Sequence, residues 1–360
     1  MDLDTELEAW ISLSLAPGLS DDKFRRLLVA FGGPQQILSA PRAELAAVVP
    51  TRAVDAVSAR APRDNLRAVG LWLDDPANRI LTFADTAYPQ ALLQIPDPPP
   101  VLYVKGRAEL LNNTAFAIVG SRNATQQGVA HAEALARALS DAGLVIVSGL
   151  ALGIDAAAHR GGLAGASSSV AVVGTGLDIV YPARNRALAH ELAQSGCIVS
   201  ELALGTAPAA TNFPRRNRLI SGLTRGCLVV EAAVSSGSLI TARLANEQGR
   251  DVFAMPGSIH SPLAKGCHSL IKQGAKLVES AEDILDELGL SAADVPRDTA
   301  LVSEHSPHRL LDAIGFDPCD IDTLCARSGA RAESVAVLLT QWEIEGVIEA
   351  LPGGRYQRVR

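Results

Sequence analysis

The chain has no Cys-x-x-Cys pair, no net positive charge, no basic leader and no apolar run of membrane-spanning length. Each absence removes a class of function. Its five cysteines, Cys197, Cys227, Cys267, Cys319 and Cys325, are an odd number set singly along the chain. That argues against a disulfide framework and for reduced thiols in a cytosol. Cys319 and Cys325 lie near His305 and His308, but their spacing fits no common zinc pattern, so no metal is expected. No hydrophobic run reaches the roughly 20 residues of a membrane span. The start Met1-Asp2-Leu3-Asp4 is acidic, unlike a signal peptide. A cytoplasmic protein with no membrane partner is the expectation. A formal net charge of −7 excludes global attraction to polyanions.

Against that acidic background, the stretch between Leu204 and Val230 holds four arginines and no acid. Three sit in Phe213-Pro214-Arg215-Arg216-Asn217-Arg218, and Arg225 follows. A local excess of this kind marks a surface for an anion. Arginine beside an aromatic ring suits an unpaired base and its phosphates. The competing reading is that these arginines pair with carboxylates elsewhere in the fold.

At 360 residues the chain is long enough for two or three domains. Residues 1–82 read as short helices divided by Gly/Pro breaks such as Ala16-Pro17-Gly18 and Phe31-Gly32-Gly33-Pro34, a SAM-like or helix-hairpin-helix bundle. From 83 to 290, apolar β-branched runs alternate with Ala/Leu-rich helices. The runs are Phe116-Ala117-Ile118-Val119, Leu144-Val145-Ile146-Val147, Val170-Ala171-Val172-Val173, Cys197-Ile198-Val199, Cys227-Leu228-Val229-Val230 and Asp251-Val252-Phe253-Ala254. This is the pattern of a doubly wound, Rossmann-like α/β domain with a parallel sheet covered on both faces. Residues 291–306 read as a linker. Residues 307–360 read as three helical segments and a hairpin turned at Pro352-Gly353-Gly354, a winged helix.

Ligands of open parallel sheets bind beyond the carboxyl ends of the strands. The loops there are small and polar: Gly120-Ser121-Arg122-Asn123-Ala124-Thr125, Ser148-Gly149-Leu150-Ala151-Leu152-Gly153-Ile154-Asp155, and Gly174-Thr175-Gly176-Leu177-Asp178. Glycines and helix N-termini suit phosphate, and Arg122 adds a two-pronged donor. Gly174-Thr175-Gly176 lacks the third glycine of a dinucleotide fingerprint, Ile179 standing there instead. The chain has no Gly-Lys-Ser/Thr and no nucleophile elbow around its Ser-Gly pairs. Asp155 and His159 at helical i,i+4 spacing, with Glu231 after another strand, permit acid–base work. Capping or orienting a loop is the favoured role.

Read together, these loops resemble the DNA-processing protein A (DprA/Smf) family. The resemblance runs in order through Tyr88-Pro89, Asp97-Pro98-Pro99-Pro100-Val101-Leu102-Tyr103, Gly120-Ser121-Arg122, Ser148-Gly149-Leu150-Ala151, Gly174-Thr175-Gly176-Leu177-Asp178 with Tyr181-Pro182 and Asn185, Phe213-Pro214-Arg215-Arg216-Asn217-Arg218, Ser236-Gly237-Ser238 and Met255-Pro256-Gly257. It implies a homodimeric, non-catalytic, cofactor-free protein that binds single-stranded DNA and loads the RecA recombinase during natural transformation. The expected nucleic-acid contacts are Gly120, Ser121, Arg122, Gly149, Arg184, Asn185, Phe213, Arg215, Arg216, Asn217 and Arg218. Asn217 and Arg218, followed by apolar Leu219-Ile220, are also placed to brace the loop while Arg215 or Arg216 meets the strand. His268, Ile271 and Leu277 are the expected dimer contacts. Two lysines common in relatives are missing, one ahead of Phe213 and one after Pro182, where Ala183 stands beside Arg184.

The alternative is a Rossmann-type nucleotide-phosphate enzyme akin to the phosphoribohydrolases. Their Pro-Gly-Gly-x-Gly-Thr-x-x-Glu signature is absent, and Glu231 precedes Ser236-Gly237-Ser238 instead of following it. The winged-helix segment holds six arginines against eight acids from Ser306 to Arg360, the wrong balance for neutralising duplex phosphates. It is therefore expected to position the chain or contact protein. Removing residues 306–360 should leave double-stranded DNA affinity unchanged in a filter-binding assay, and tight duplex binding by that segment would contradict this.

Overall fold

The α/β core follows from strands whose two faces are both apolar. In Ala115-Phe116-Ala117-Ile118-Val119, Ala115, Ala117 and Val119 join one buried cluster, while Phe116 and Ile118 join another on the opposite face. A strand buried on both sides shows no polar alternation, and it is flanked by helices on both sides. The computed structural model describes residues 4–290, 314, 317–328 and 332–359. The linker expected over 291–306 and most of the first winged-helix segment lie outside these residues.

The chain starts with six helices, α1 (Thr5–Ser14), α2 (Asp21–Phe31), α3 (Pro34–Ser39), α4 (Arg42–Val48), α5 (Thr51–Ala59) and α6 (Arg63–Leu73). They share a core of Trp10, Ile11, Leu13, Phe24, Leu27, Ile37 and Val54 with Ile80, Val101 and Tyr103 from the sheet, so the bundle rests on the sheet's first two strands.

Nine described strands form one sheet: β1 (Asn78–Thr82), β2 (Val101–Gly106), β3 (Ala115–Val119), β4 (Val145–Ser148), β5 (Ser169–Val172), β6 (Cys197–Ser200), β7 (Gly226–Val229), β8 (Asp251–Ala254) and β9 (Lys276–Leu277). Their order is β1-β2-β6-β5-β4-β3-β7-β8-β9. Seven run parallel from β6 to β9, six of them as the apolar runs predict and β9 in addition, whereas β2 is antiparallel to both β1 and β6. Thus β1, inside the stretch read as helical, belongs to the sheet. It is only five residues long, and its pairing is settled by β2, not by its own periodicity.

Helices α7 (Gln126–Asp141), α8 (Ile154–Ala164), α9 (Arg186–Ser195) and α13 (Ala281–Glu287) cover one face. Helices α10 (Asn212–Gly222), α11 (Ser238–Glu247) and α12 (Lys265–Lys272) cover the other. The C-terminal part contains α14 (Ile321–Ser328), α15 (Ala332–Ile344) and the strands β10 (Cys319–Asp320), β11 (Ile348–Leu351) and β12 (Arg355–Arg358) in the order β10-β12-β11. Gly353 and Gly354 turn its hairpin at φ +87° and +69°, a region that favours glycine. No described helix is long and apolar enough to cross a membrane.

Phe116 and Phe253 meet edge-to-face, with centroids 5.5 Å apart, under α7 and α13. Both are fully buried. Phe253→Ala should cost about 3–5 kcal/mol, read as a lowered urea midpoint. A loss under ~1 kcal/mol would contradict this packing.

Candidate nucleic-acid interface

β3 and β7 lie side by side, but the chain leaves β3 toward β4 on one side and β7 toward β8 on the other. Loops diverge at such a switch point and leave a crevice. Here they enclose a cavity of about 800 Å³ lined by the loop after β3, the loop before α11, and the first turns of α10. Gly120, Ser121, Arg122, Phe213, Arg216 and Asn217 from the expected set all line it.

The loops are tied to one another before any ligand arrives. Ser121 N–H donates to Glu231 O at 2.7 Å, and Ile154 N–H donates to Ser121 O at 3.2 Å. Thr125 caps α7 by accepting Gly128 N–H at 2.9 Å. The Glu231 carboxylate accepts from Thr125 N–H at 2.9 Å and Thr125 Oγ1 at 2.7 Å. Glu231 thus closes a helix N-terminus, and burial pushes its carboxyl up.

Arg216 lies inside this knot. Its Nη1 donates to Gly149 O at 2.5 Å and to Val172 O, joining α10 to the ends of β4 and β5. A Cβ on Gly149 would collide with the guanidinium, so the close approach requires glycine there. Burial brings Arg216 down to about 10, Asp155 opposing the shift and Arg122 adding to it. Asp155 accepts the N–H groups of Gly149 (3.2 Å) and Ala151 (3.3 Å). Asn185 Nδ2 donates to the Leu150 and Ala151 carbonyls at 2.9 and 3.1 Å. His159 Nε2 accepts Leu150 N–H at 3.2 Å. Its Nδ1 lies 2.7 Å from Ser169 Oγ, which itself donates to Ile146 O. The ring is therefore a neutral Nδ1–H tautomer. Gly149, Asp155, His159, Asn185 and Arg216 together form the frame of the second loop.

The reactive surface lies above that frame. The Arg122 guanidinium sits 5.5 Å from the centre of the Phe213 ring. Tyr181 lies beside Phe213, its ring centroid 5.6 Å from that of Phe213 at 32°. Among the described residues neither Arg122 nor Arg184 has an ion-pair partner, and both are exposed. A cation beside two partly exposed rings offers a charge for phosphate and a face for a base. Tyr181 was legible only as part of the Tyr-Pro motif, and ring proximity in space gives it this role.

Arg215 and Arg218 face away from the cavity. Arg215 pairs with Asp21 (2.6 Å) and Glu201 (3.1 Å), and Arg218 pairs with Glu201 and Asp97 (3.3 Å). Their partners come from α2, the segment before β2 and the end of β6. Sequence reasoning missed these acids because they are up to 194 positions distant. At the far edge of the sheet, Leu277 of β9 is 42% exposed, while Ile271 packs partly onto the core and His268 Nε2 lies 3.0 Å from Gly257 O. No cluster of metal-ligating side chains occurs among the described residues.

A doubly wound sheet with a stitched, arginine- and aromatic-lined crevice at its switch point defines a Rossmann-like binding protein flanked by a helical bundle and a winged helix. The chain belongs to the DNA recombination-mediator protein A family, whose model matches residues 79–289, with a DprA winged helix domain over residues 296–354. It is 41% identical over 309 residues to protein Smf of Escherichia coli K12, covering 83% of this chain and 82% of that one. It is 48% identical over 203 residues to DNA processing protein DprA of Streptococcus pneumoniae R6, covering 56% and 72%. The solved structure of the S. pneumoniae protein superposes with a TM-score of 0.70 at 36% identity, covering 80% of this chain and 99% of that one. DNA processing protein A from Helicobacter pylori, whose structure is described for its single-stranded DNA binding mode, superposes with a TM-score of 0.54 at 32% identity, covering 58% and 95%.

Burial holds His159 neutral, moving it from 6.5 down to about 3. Below pH 6.5 the unfolded chain takes up a proton that the folded one refuses, so stability falls as pH drops from 6.5 toward 3. His131 is shifted the same way by its partial burial. Between pH 6.5 and 5 the unfolding free energy of the parent chain should fall more steeply than that of His159→Gln, by up to about 1.4 kcal/mol per pH unit. Parallel pH profiles from denaturant titrations would refute the neutral assignment.

Proposed function

We propose that this chain binds single-stranded DNA at the Arg122–Phe213–Tyr181 surface. It would protect DNA taken up in transformation and load it with a RecA recombinase, as a cytoplasmic homodimer without covalent catalysis. The observation that carries the reading is the Arg122 guanidinium, without an ion-pair partner among the described residues, over an aromatic group at the mouth of the switch-point crevice. The H. pylori relative is described as a single-stranded DNA binder, and the family's name gives recombination mediation as its role. In this reading Arg122 and Arg184 meet phosphates and Phe213 meets a base. Gly120 and Ser121 shape the mouth, Asn217 lines the cavity wall, and Gly149, Asn185 and Arg216 keep the crevice rigid. The exposed edge at β9, with His268, Ile271 and Leu277, is proposed as the dimer contact. Two crevices on one dimer would bind a flexible strand with avidity. The phosphoribohydrolase-like alternative gains no support from Glu231, which is held by Thr125.

Two variants separate the phosphate and base contributions. Arg122→Ala should weaken oligothymidine binding and reduce the slope of log K against log salt by about 0.7, the loss of one phosphate contact on a single strand. Phe213→Ala should lose about 1–3 kcal/mol while keeping the slope. Unchanged affinity in both variants would remove the surface from DNA binding.

A further inference from the structure

Helix α10 carries two sets of residues on opposite sides. Phe213, Arg216 and Asn217 line the crevice, while Arg215 and Arg218 enter a charged seam beneath the N-terminal bundle. We infer that Asp21 of α2, acting with Asp97 and Glu201, is a positioning residue that sets the strand-binding crevice by holding α10 through Arg215 and Arg218. The inference rests on the proposed DNA reading for its functional consequence, but not for its structural part.

The first turn of α10 needs such a hold. Thr211 makes no side-chain cap and no acid occupies the turn, while Arg215 and Arg216 bring positive charge close to the positive end of the helix dipole. The seam supplies the missing negative charge from three separate segments. Glu201 lies at the carboxyl end of β6 with its side chain 2% exposed, and contacts both arginines. Asp21, in the first turn of α2, lies 2.6 Å from Arg215 and 3.9 Å from Arg218. Asp97 lies 3.3 Å from Arg218 and 2.6 Å from Arg25, whose Nη1 also donates to Pro98 O at 2.9 Å. The acids thus join α2, the turn before β2 and the end of β6 to one helix.

A second cavity of about 410 Å³ adjoins the seam, lined in part by Asp21, Asp97, Glu201 and Arg215. Released from Asp21, Arg215 would have open space beside it, so charge and not packing fixes that end of the seam. Two residues along the helix from Arg215, Phe213 stands against Gly174 at the crevice and under Arg122. A rotation of the first turn of α10 therefore moves the ring that faces the strand.

Glu201 and Arg218 are unsuitable for the test, because removing either leaves a buried charge uncompensated. Asp21→Asn in the full chain removes the charge at a partly exposed position. Asp22→Asn is the matched control: it stands in the same helical turn and, among the described residues, pairs with Arg25 alone, at 3.9 Å. Hydrogen exchange of peptides covering residues 212–222, without DNA, should quicken in Asp21→Asn and not in Asp22→Asn. Oligothymidine affinity should fall about three- to ten-fold in Asp21→Asn with its salt slope unchanged, because no phosphate contact is lost. Asp21→Glu should restore most of both signals. The inference is overturned if Asp21→Asn matches the parent in α10 exchange, if it leaves affinity unchanged or tightens it, or if Asp22→Asn reproduces its losses. Should the parent chain fail to bind oligothymidine, the DNA reading fails while α10 exchange still decides whether Asp21 holds the helix.

Discussion

The crevice depends on one buried guanidinium. Arg216 is buried in the switch region and joins three chain segments that have no covalent reason to meet: α10, the end of β4 and the end of β5. An unpaired cation in such a place would be strongly destabilising. Arg216 is tolerated because two carbonyl oxygens accept hydrogen bonds from its Nη1 and Asp155 sits close enough to favour its charge. Asp155 is held in turn by N–H groups of the same loop that Arg216 binds through its carbonyl. The cation and the anion therefore fix one loop from both polarities of its backbone. Glycine at 149 is the steric condition for that arrangement.

With Arg216 serving as frame, the electrostatic division along α10 becomes clear. Consecutive arginines on a helix point about 100° apart, so Arg215 and Arg216 cannot share one task. Arg216 turns toward the strand ends, and Arg215 and Arg218 turn toward the bundle. The anion-seeking charge at the crevice mouth then comes from a different loop, at Arg122, where the β3 turn holds the backbone on both sides. Ser121 N–H is bound to Glu231 O, and Asn123 N–H to Ser121 Oγ at 3.1 Å. A side chain on a fixed backbone loses less entropy on binding than one on a mobile loop.

Much of this was legible in the sequence, with a particular blind spot. The continuous apolar runs at Phe116-Ala117-Ile118-Val119 and Cys227-Leu228-Val229-Val230 announced doubly covered parallel strands, and the polar turns after them announced the crevice. The short β1 and the two-residue β9 carried too little periodicity to read, because their pairing is decided by neighbours. The arginine run was visible as an anomaly, and the pairing with distant carboxylates describes Arg215 and Arg218, while Arg216 donates to backbone carbonyls. Partners such as Asp21 and Glu201 carry no local sign of their role, since an acid destined for a seam looks the same as one destined for water. Tyr181 shows the same limit: its place against Phe213 exists only once α10 and the loop after β5 are folded together.

A surface built from Arg122, Arg184 and two rings sets a scale for affinity. Two phosphate contacts and one or two stacked bases contribute a few kcal/mol at most, and positioning the strand takes back part of that. On the proposed reading, a single crevice of this kind would hold a strand weakly and release it readily. In a mediator that must protect a strand and then give it up, weak sites in pairs are better suited than one strong site. In the proposed dimer, pairing two crevices would multiply retention, while each contact would remain easy to displace one at a time. On that argument the acidic surroundings serve the same end. With a net charge of −7, a protein binding a strand at the crevice mouth as proposed would gain little from non-specific attraction elsewhere.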